Sequence, residues 1–181
     1  MVRLLFIRHA AATETGHGIP GLDERRQLTI EGRKQARNLG RILKALDIRP
    51  EAILTSPLVR ACETAELIAN EIRKLPALTE TLALAPAAQW KDLKKVVQEK
   101  TKTAGEHKGT KKASDVWIFA VGHQPNLSEM AAAALTGKKM EFQFEKGACL
   151  GLAWKSDKLE GPPSVCLALD LHSIARFKKA T

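Results

Sequence analysis

The sequence predicts an α/β fold with a mainly parallel sheet. Short apolar runs typical of buried strands alternate with longer segments in which apolar residues recur every three or four positions. This alternation runs from the first residues to the last, and strands that alternate with helices are typical of parallel sheets covered by helices. The chain has 181 residues and no visible internal repeat, which is the length of one domain with its own core. We therefore expect a single domain over residues 1–181.

The N-terminal part begins with a strand and a helix. The apolar run from Val2 to Ile7 predicts a buried strand, and residues 10–28 have the composition of a glycine-containing loop. Thr29 can cap a helix that runs to about Leu46. Four apolar residues are predicted to share the buried face of this helix: Ala36, Leu39, Leu43 and Leu46.

A second strand and helix follow the break at Arg49-Pro50. The strand is predicted at residues 52–57, where it ends in Ser56-Pro57. A serine cap followed by proline in the first turn is typical of a helix start, and we expect no further role for Ser56. The apolar stripe of this helix comprises Leu58, Ala61, Ala65, Ile68 and Ile72.

The C-terminal part continues the alternation after an extended or irregular stretch, LTETLALAP. A helix is predicted at Trp90–Glu99, and the basic, polar stretch Lys100–Ser114 is predicted to be a mobile surface loop. A strand at Val116–Val121 then leads through Gly-His into a helix from about Pro125 to Leu135. The segments GACLGLAWK and SVCLALDL are predicted to be two closing strands.

The amino-acid composition disfavours several classes of function. No apolar run approaches membrane-spanning length or the core of a signal peptide, so we expect a cytoplasmic protein without membrane contact. The three cysteines are odd in number and lack C-x-x-C spacing, which favours reduced thiols. The net charge of +9 indicates either an anionic ligand or a solvated lysine-rich surface. Aromatic residues make up only 4% and tyrosine is absent, which disfavours nucleic-acid binding by base stacking.

Charged and polar side chains follow three of the predicted strands. They are Arg8 and His9 after the first strand, Arg60 after the second and His123 after the third, at Val116–Val121. Because the carboxyl ends of parallel strands meet at one edge of a sheet, these side chains are expected to converge there. Two arginines can hold phosphate oxygens, and a neutral histidine can attack phosphorus. The sequence therefore predicts an anion site with a histidine nucleophile.

These residues lie in motifs that resemble a known family. Arg8-His9, LTIEGRKQA, SPLVRACETA and GHQPNL match the histidine phosphatase superfamily in order and spacing. The short length and the KGAC segment most resemble its SixA-like phosphohistidine phosphatases. The resemblance implies a three-layer α/β/α sandwich, phosphoglycerate mutase-like, with a mainly parallel sheet.

The resemblance also implies roles for individual residues. His9 would carry a transient phosphoryl group, Arg8 and Arg60 would clamp its oxygens, and His123 would stabilise the transition state. Arg26, two residues before Leu28-Thr29, would reach the phosphate or the substrate. No metal or cofactor is implied, because the arginines supply the positive charge. The other histidines, His17, His107 and His172, have no ligand-like spacing.

Three assignments stay open at this point. Gln124 and Asn126 either line the pocket or satisfy the turn, and Gln124 is kept as a substrate-binding candidate. Position 10 is Ala where the superfamily's Arg-His-Gly motif has Gly, a difference familiar in the short branch. Glu14 and Glu80 are the candidates for a general acid. Phosphohistidine leaves as an imidazole and needs less help from an acid than an alkoxide does, which favours such a substrate.

The expected function is dephosphorylation of a phosphohistidine on a protein, such as a phosphotransfer or phosphocarrier domain in signalling or sugar transport. The first alternative is a small-molecule phosphomonoesterase of the same superfamily; a mutase is less favoured. A second alternative, from a different class, is a phosphate-binding module without catalysis. Nucleic-acid binding through the basic loop would rest on net charge alone and is not expected. We expect a monomer or a weak oligomer.

Overall fold

The computed structural model describes residues 1–14, 23–72, 77–107, 115–140 and 143–170. Six strands form one sheet in the order β3-β2-β4-β1-β5-β6. The strands are β1 Val2–Arg8, β2 Pro50–Thr55, β3 Ala77–Glu80, β4 Val116–Gly122, β5 Cys149–Trp154 and β6 Ser164–Leu169. The helices are α1 Ile30–Ala45, α2 Val59–Ile72, α3 Trp90–His107 and α4 Asn126–Thr136, with a short 3₁₀ turn at Leu82–Leu84.

The sheet lies between two layers of helices because its strands are apolar on both faces. Leu4 and Phe6 of β1 belong to a core cluster with residues of α3 and α4, such as Leu93. Leu5 and Ile7, which point to the opposite face, belong to a second cluster with residues of α1 and α2, such as Leu39. The predicted three-layer α/β/α sandwich is confirmed.

The parallel part of the sheet brings four strand ends to one edge. β1 and β2 both pair in parallel with β4, and β3 pairs in parallel with β2. Arg8 lies opposite Gly122, while Thr55 lies opposite both Val121 and Glu80. β5 and β6 are antiparallel to their neighbours, so the sheet is mixed on that side. The residues that follow β1, β2 and β4 are therefore neighbours in space.

Several element boundaries differ from the sequence prediction. The second strand, predicted at residues 52–57, is β2 Pro50–Thr55: it begins at the expected break and ends before Ser56-Pro57. Leu46 is not on the buried face of α1: the helix ends at Ala45, and Leu46 is 45% exposed as its C-cap residue. Helix α2 begins at Val59 rather than at Pro57, although Ser56 Oγ does accept from the Leu58 N–H. Helix α3 continues past Glu99 to His107, so the first part of the predicted Lys100–Ser114 loop is helical. Residues 108–114 lie outside the described ranges.

Within those ranges, no helix combines the length and the apolar composition that a membrane span requires.

Candidate active site

His9 lies directly after β1 and is held by the neighbouring strand. Its backbone N–H donates to the Gly122 carbonyl at 3.0 Å, and the side chain is 6% exposed. The ring Nδ1 is 2.8 Å from the Ala10 carbonyl oxygen. A carbonyl can only accept, so Nδ1 carries the hydrogen and Nε2 of the neutral ring keeps its lone pair.

The surroundings keep this ring neutral. Burial lowers the pKa of His9 to about 3, and the positive charges of Arg60 and Arg8 and the proximity of His123 act in the same direction. The hydrogen bond to Ala10 acts in the opposite direction and is outweighed. At neutral pH His9 is therefore an imidazole whose Nε2 can act as a nucleophile.

Arg8 is the last residue of β1, and its side chain is only partly satisfied by the protein. Nη1 donates to the Phe144 carbonyl, and Nε is buried without a hydrogen-bond partner among the described residues. Burial lowers the pKa of the guanidinium from its ordinary value. The high pKa of arginine still leaves the group charged at neutral pH, so Arg8 brings a cation to the edge of the sheet.

Arg60 is buried in the first turn of α2 and is engaged by an acidic loop residue. Its Nη1 donates to the Asp23 carbonyl at 2.6 Å, and its Nη2 donates to Asp23 Oδ2 at 3.0 Å. Its Nε is buried and has no partner in the part of the chain that the structure describes.

His123 follows β4 and faces His9. The two ring centroids are 5.1 Å apart, and the His123 side chain is 4% exposed. Its Nε2 lies 2.8 Å from Ser56 Oγ, whereas its Nδ1 is buried with no partner within the described ranges. The pKa of His123 is lowered to about 4, chiefly by burial and also by the charges of Arg60 and Arg8, while Asp23 acts in the opposite direction. His123 is neutral at pH 7.

The predicted quartet Arg8, His9, Arg60 and His123 thus meets at one edge of the sheet. Three of its members bury a nitrogen that no described residue satisfies: Arg8 Nε, Arg60 Nε and His123 Nδ1. Leaving such groups unpaired is costly, and an anion with several oxygens can accept from them. The arrangement can hold a phosphoryl group beside the free Nε2 of His9.

Asp23 is the residue that sequence reasoning missed in this region. Its Oδ2 accepts from Arg60 and its Oδ1 accepts from Arg26 Nη1 at 3.1 Å, so one carboxylate links two arginines. Chiefly through the hydrogen bond from Arg26, these contacts hold the pKa of Asp23 below its usual range, although partial burial opposes them. The only sequence signal was an acidic residue three positions before Arg26, inside a loop without periodicity.

Arg26 is placed next to the quartet through Asp23 rather than by direct contact. Its second bond runs from Nε to the Thr13 carbonyl at 2.5 Å. This bond ties the segment after His9 to the turn that carries Asp23.

Gln124 and Asn126, at the start of α4, each bond to a backbone group. Gln124 Oε1 accepts from the Ser128 N–H at 3.3 Å, and Asn126 Nδ2 donates to the Ala88 carbonyl at 3.0 Å. Of the two interpretations left open for these residues, the contacts favour the structural one.

The two candidate general acids are both exposed. Glu80 ends β3 at the correct edge, and its Oε1 accepts from Cys62 Sγ at 3.8 Å. Glu14 lies in the segment after His9. Neither carboxylate contacts the quartet within the described residues, so the structure brings neither to the nucleophile.

No group of three or more His, Cys, Asp or Glu residues suited to a metal ion occurs in the described part. Of the histidines without ligand spacing, His17, His172 and the side chain of His107 lie outside it.

Comparison with known proteins agrees with this geometry. An uncharacterized protein of Picosynechococcus sp. is 29% identical over 161 residues, which are 83% of this chain and 84% of that protein. The mitochondrial serine/threonine-protein phosphatase Pgam5 of Drosophila mojavensis is 41% identical over 69 residues, but these are 38% of this chain and 22% of that protein. The structure of the protein histidine phosphatase SixA complexed with tungstate superposes with a TM-score of 0.76 at 16% identity, covering 97% of this chain and 99% of that chain.

The family model described as histidine phosphatase superfamily (branch 1) matches residues 4–115, which is more than half of the sequence and contains Arg8, His9 and Arg60. His123 lies beyond the matched region, and the sheet topology brings it to the same edge. The chain therefore belongs to the histidine phosphatase superfamily.

Proposed function

We propose that the protein is a phosphatase that works through a covalent phosphohistidine on Nε2 of His9. The observation that carries this proposal is the neutral, buried His9 ring, whose Nδ1–H is bound to the Ala10 carbonyl while Nε2 is left to react. In the first step the Nε2 lone pair attacks phosphorus, and the bond from phosphorus to the leaving nitrogen or oxygen breaks. In the second step water attacks the phosphohistidine, its oxygen bonds to phosphorus, its proton goes to solvent, and the lone pair returns to Nε2.

The cations stabilise the charge that spreads over the equatorial oxygens in both steps. Arg8 and Arg60 each bring a charged guanidinium to the site, and the Nε of each is buried without a partner among the described residues. Such preorganised donors act strongly in a site that excludes water. The Asp23 backbone carbonyl occupies Nη1 of Arg60 and the Asp23 carboxylate occupies Nη2, so an incoming phosphoryl group competes with that carboxylate for Nη2.

The substrate we propose is a phosphohistidine on a protein, such as a phosphotransfer or phosphocarrier domain. Asp23 is the described carboxylate that contacts the quartet, and its lowered pKa makes it a poor proton donor at neutral pH. Among the described residues, neither Glu14 nor Glu80 forms a hydrogen bond or ion pair with the quartet. A site without a well-placed acid suits a leaving imidazole better than a leaving alkoxide. The names of the SixA and Pgam5 relatives, both protein phosphatases, support a protein substrate.

Phosphate release tests the proposal. Wild-type protein and His9→Ala are assayed on a chemically phosphorylated histidine protein and on p-nitrophenyl phosphate. Ser128→Ala is the control, because it removes a buried hydroxyl of α4 that donates to the carbonyl of Pro125, the residue before that helix. We expect turnover of the phosphohistidine protein by wild type and Ser128→Ala, and none by His9→Ala.

Two other results would redirect the proposal. Turnover of the ester alone would favour a small-molecule phosphomonoesterase. Binding of inorganic phosphate by folded wild type, without turnover of either substrate, would favour a phosphate-binding module and contradict catalysis.

A further inference from the structure

Ser56 contributes more than a helix cap. It lies between β2 and α2 and is fully buried. Its N–H donates to the Val121 carbonyl of β4 at 3.0 Å. Its own carbonyl accepts from Thr55 Oγ1 at 3.0 Å and from Cys62 Sγ at 3.3 Å. The backbone of Ser56 is thus held from three sides, which fixes the position of its hydroxyl 2.8 Å from His123 Nε2.

The partners of this hydroxyl determine the direction of the bond to His123. A serine hydroxyl donates one hydrogen and accepts two. The Leu58 N–H approaches Ser56 Oγ at 3.4 Å and can only donate. His123 Nε2 is then the one acceptor that the described residues offer to the hydroxyl hydrogen. If Nε2 carried the ring proton, Ser56 Oγ could accept from it, but the buried hydroxyl hydrogen would then have no acceptor among the described residues. The satisfied arrangement is the one in which Ser56 donates to an unprotonated Nε2 of the neutral ring.

The ring proton of His123 is consequently on Nδ1. This atom is buried and has no partner in the part of the chain that the structure describes. We infer that Ser56 is a positioning residue that fixes His123 as its Nδ1–H tautomer, so that this N–H donates to an oxygen of the bound phosphoryl group. The inference deepens the proposed function and rests on it.

The tautomer matters because the ring has only one hydrogen to give. The pKa of His123 is lowered to about 4, chiefly by burial, so a second proton does not bind at neutral pH. In the opposite tautomer Nδ1 would present a lone pair to the anionic oxygen and repel it. Ser56 would act by excluding that tautomer, without touching the substrate itself.

The first test reads the tautomer directly, in unliganded protein and without an activity assay. Long-range ¹⁵N–¹H correlation of the histidine rings distinguishes protonated from unprotonated nitrogens, and His123→Gln identifies the His123 signals. We expect Nδ1–H and unprotonated Nε2 in wild type, and a substantial Nε2–H population in Ser56→Ala. Wild type with the proton on Nε2 would overturn the inference, and this result does not depend on whether Ser56→Ala folds.

The second test measures inorganic phosphate binding. Ser56→Ala should bind phosphate about tenfold more weakly than wild type, the size expected for one hydrogen bond to a charged group. Ser56→Thr, which keeps the hydroxyl, should restore binding and tautomer together, whereas Ser128→Ala should change neither. Wild-type affinity and tautomer in a folded Ser56→Ala would overturn the inference. A wild type with the expected tautomer that neither binds phosphate nor turns over substrate would instead overturn the proposed function.

Discussion

The close contact between helix α1 and the segment after His9 gives a prediction whose size follows from the structure. Gly32 lies in the first turn of α1, and a β-carbon there would be 1.9 Å from the Ala11 carbonyl oxygen and 2.8 Å from its carbon. Non-bonded heavy atoms pack at about 3.5 Å, so Gly32→Ala must move the Ala11 segment by more than about 1 Å. Position 32 therefore requires glycine, because any β-carbon would collide with the Ala11 carbonyl group.

The displacement removes hydrogen bonds that fix the segment. The Ala11 carbonyl accepts from the Thr29 N–H at 3.0 Å and from Thr29 Oγ1 at 3.3 Å, and the Ala11 N–H donates to Gln35 Oε1 at 3.0 Å. Each bond contributes about 1 kcal/mol. Part of this loss is offset, because alanine in a helix stabilises the folded state by about 1 kcal/mol relative to glycine. We expect Gly32→Ala to lower the free energy of unfolding by about 2 kcal/mol.

The same displacement reaches the nucleophile, because Ala11 follows Ala10, whose carbonyl orients the His9 ring. A misplacement of about 1 Å can reduce kcat by about 100-fold. Gly40→Ala is the matched control in the same helix: its β-carbon would meet Glu71 Cβ at 2.9 Å, and thus helix α2. We expect Gly40→Ala to destabilise the protein but keep its kcat. Urea unfolding and p-nitrophenyl phosphate turnover check both variants, and a Gly32→Ala protein with wild-type stability and kcat would refute this reasoning.

Four further predictions concern charged and buried groups. In the folded protein the pKa values of His9 (about 3) and His123 (about 4) lie below the ordinary value of 6.5, so between pH 6.5 and these folded values the unfolded chain binds more protons than the folded protein. The free energy of unfolding measured in urea should therefore fall as the pH drops below about 6.5. The fall should be less steep in His123→Gln, which lacks one of the two groups. For the same reason kcat/KM should stay level from about pH 7 to about pH 5, and an acid limb near pH 6.5 would contradict the neutral His9. Asp23→Asn should bind inorganic phosphate several-fold more tightly in calorimetry, because the carboxylate no longer competes for Arg60; unchanged or weaker binding would show that Asp23 instead orients Arg60. Cys149, buried and with its pKa raised to about 12 by burial, should be the slowest of Cys62, Cys149 and Cys166 to react with iodoacetamide in the native protein, and rapid labelling there would contradict the burial.

The fold and the quartet could be predicted from the sequence, because each follows from a local sequence pattern together with a general rule of protein structure. Short apolar runs indicated the strands and helical periodicity indicated the helices, and the rule that parallel strands end at one edge brought Arg8, Arg60 and His123 together. Leu46 shows the limit of periodicity: the pattern continued, but the helix ended one residue earlier. The prediction for helix α3 was too short, because its lysine-rich C-terminal part has a composition that solvated loops and exposed helix faces share.

Asp23 and Ser56 could not be found in this way. Asp23 acts through an ion pair with a residue 37 positions away, and nothing in its loop marks the partner. Ser56 was fully accounted for by its local role as a cap, so no unexplained signal remained to indicate His123, 67 positions away. The general acid stays undetermined by sequence for a similar reason: Glu14 and Glu80 were chosen by order along the chain, whereas a proton donor is defined by distance.

The central claim is that His9 carries the phosphoryl group on Nε2. We would mix wild-type protein with a phosphohistidine protein substrate, quench at high pH to preserve phosphoramidates, and locate the phosphoryl group by mass spectrometry and ³¹P NMR, with His9→Ala in parallel. The account predicts Nε2-linked phosphate on the peptide that contains His9, and no labelled enzyme in His9→Ala. Phosphate release by wild type with the label on His123, or with no labelled histidine at any time, would contradict it.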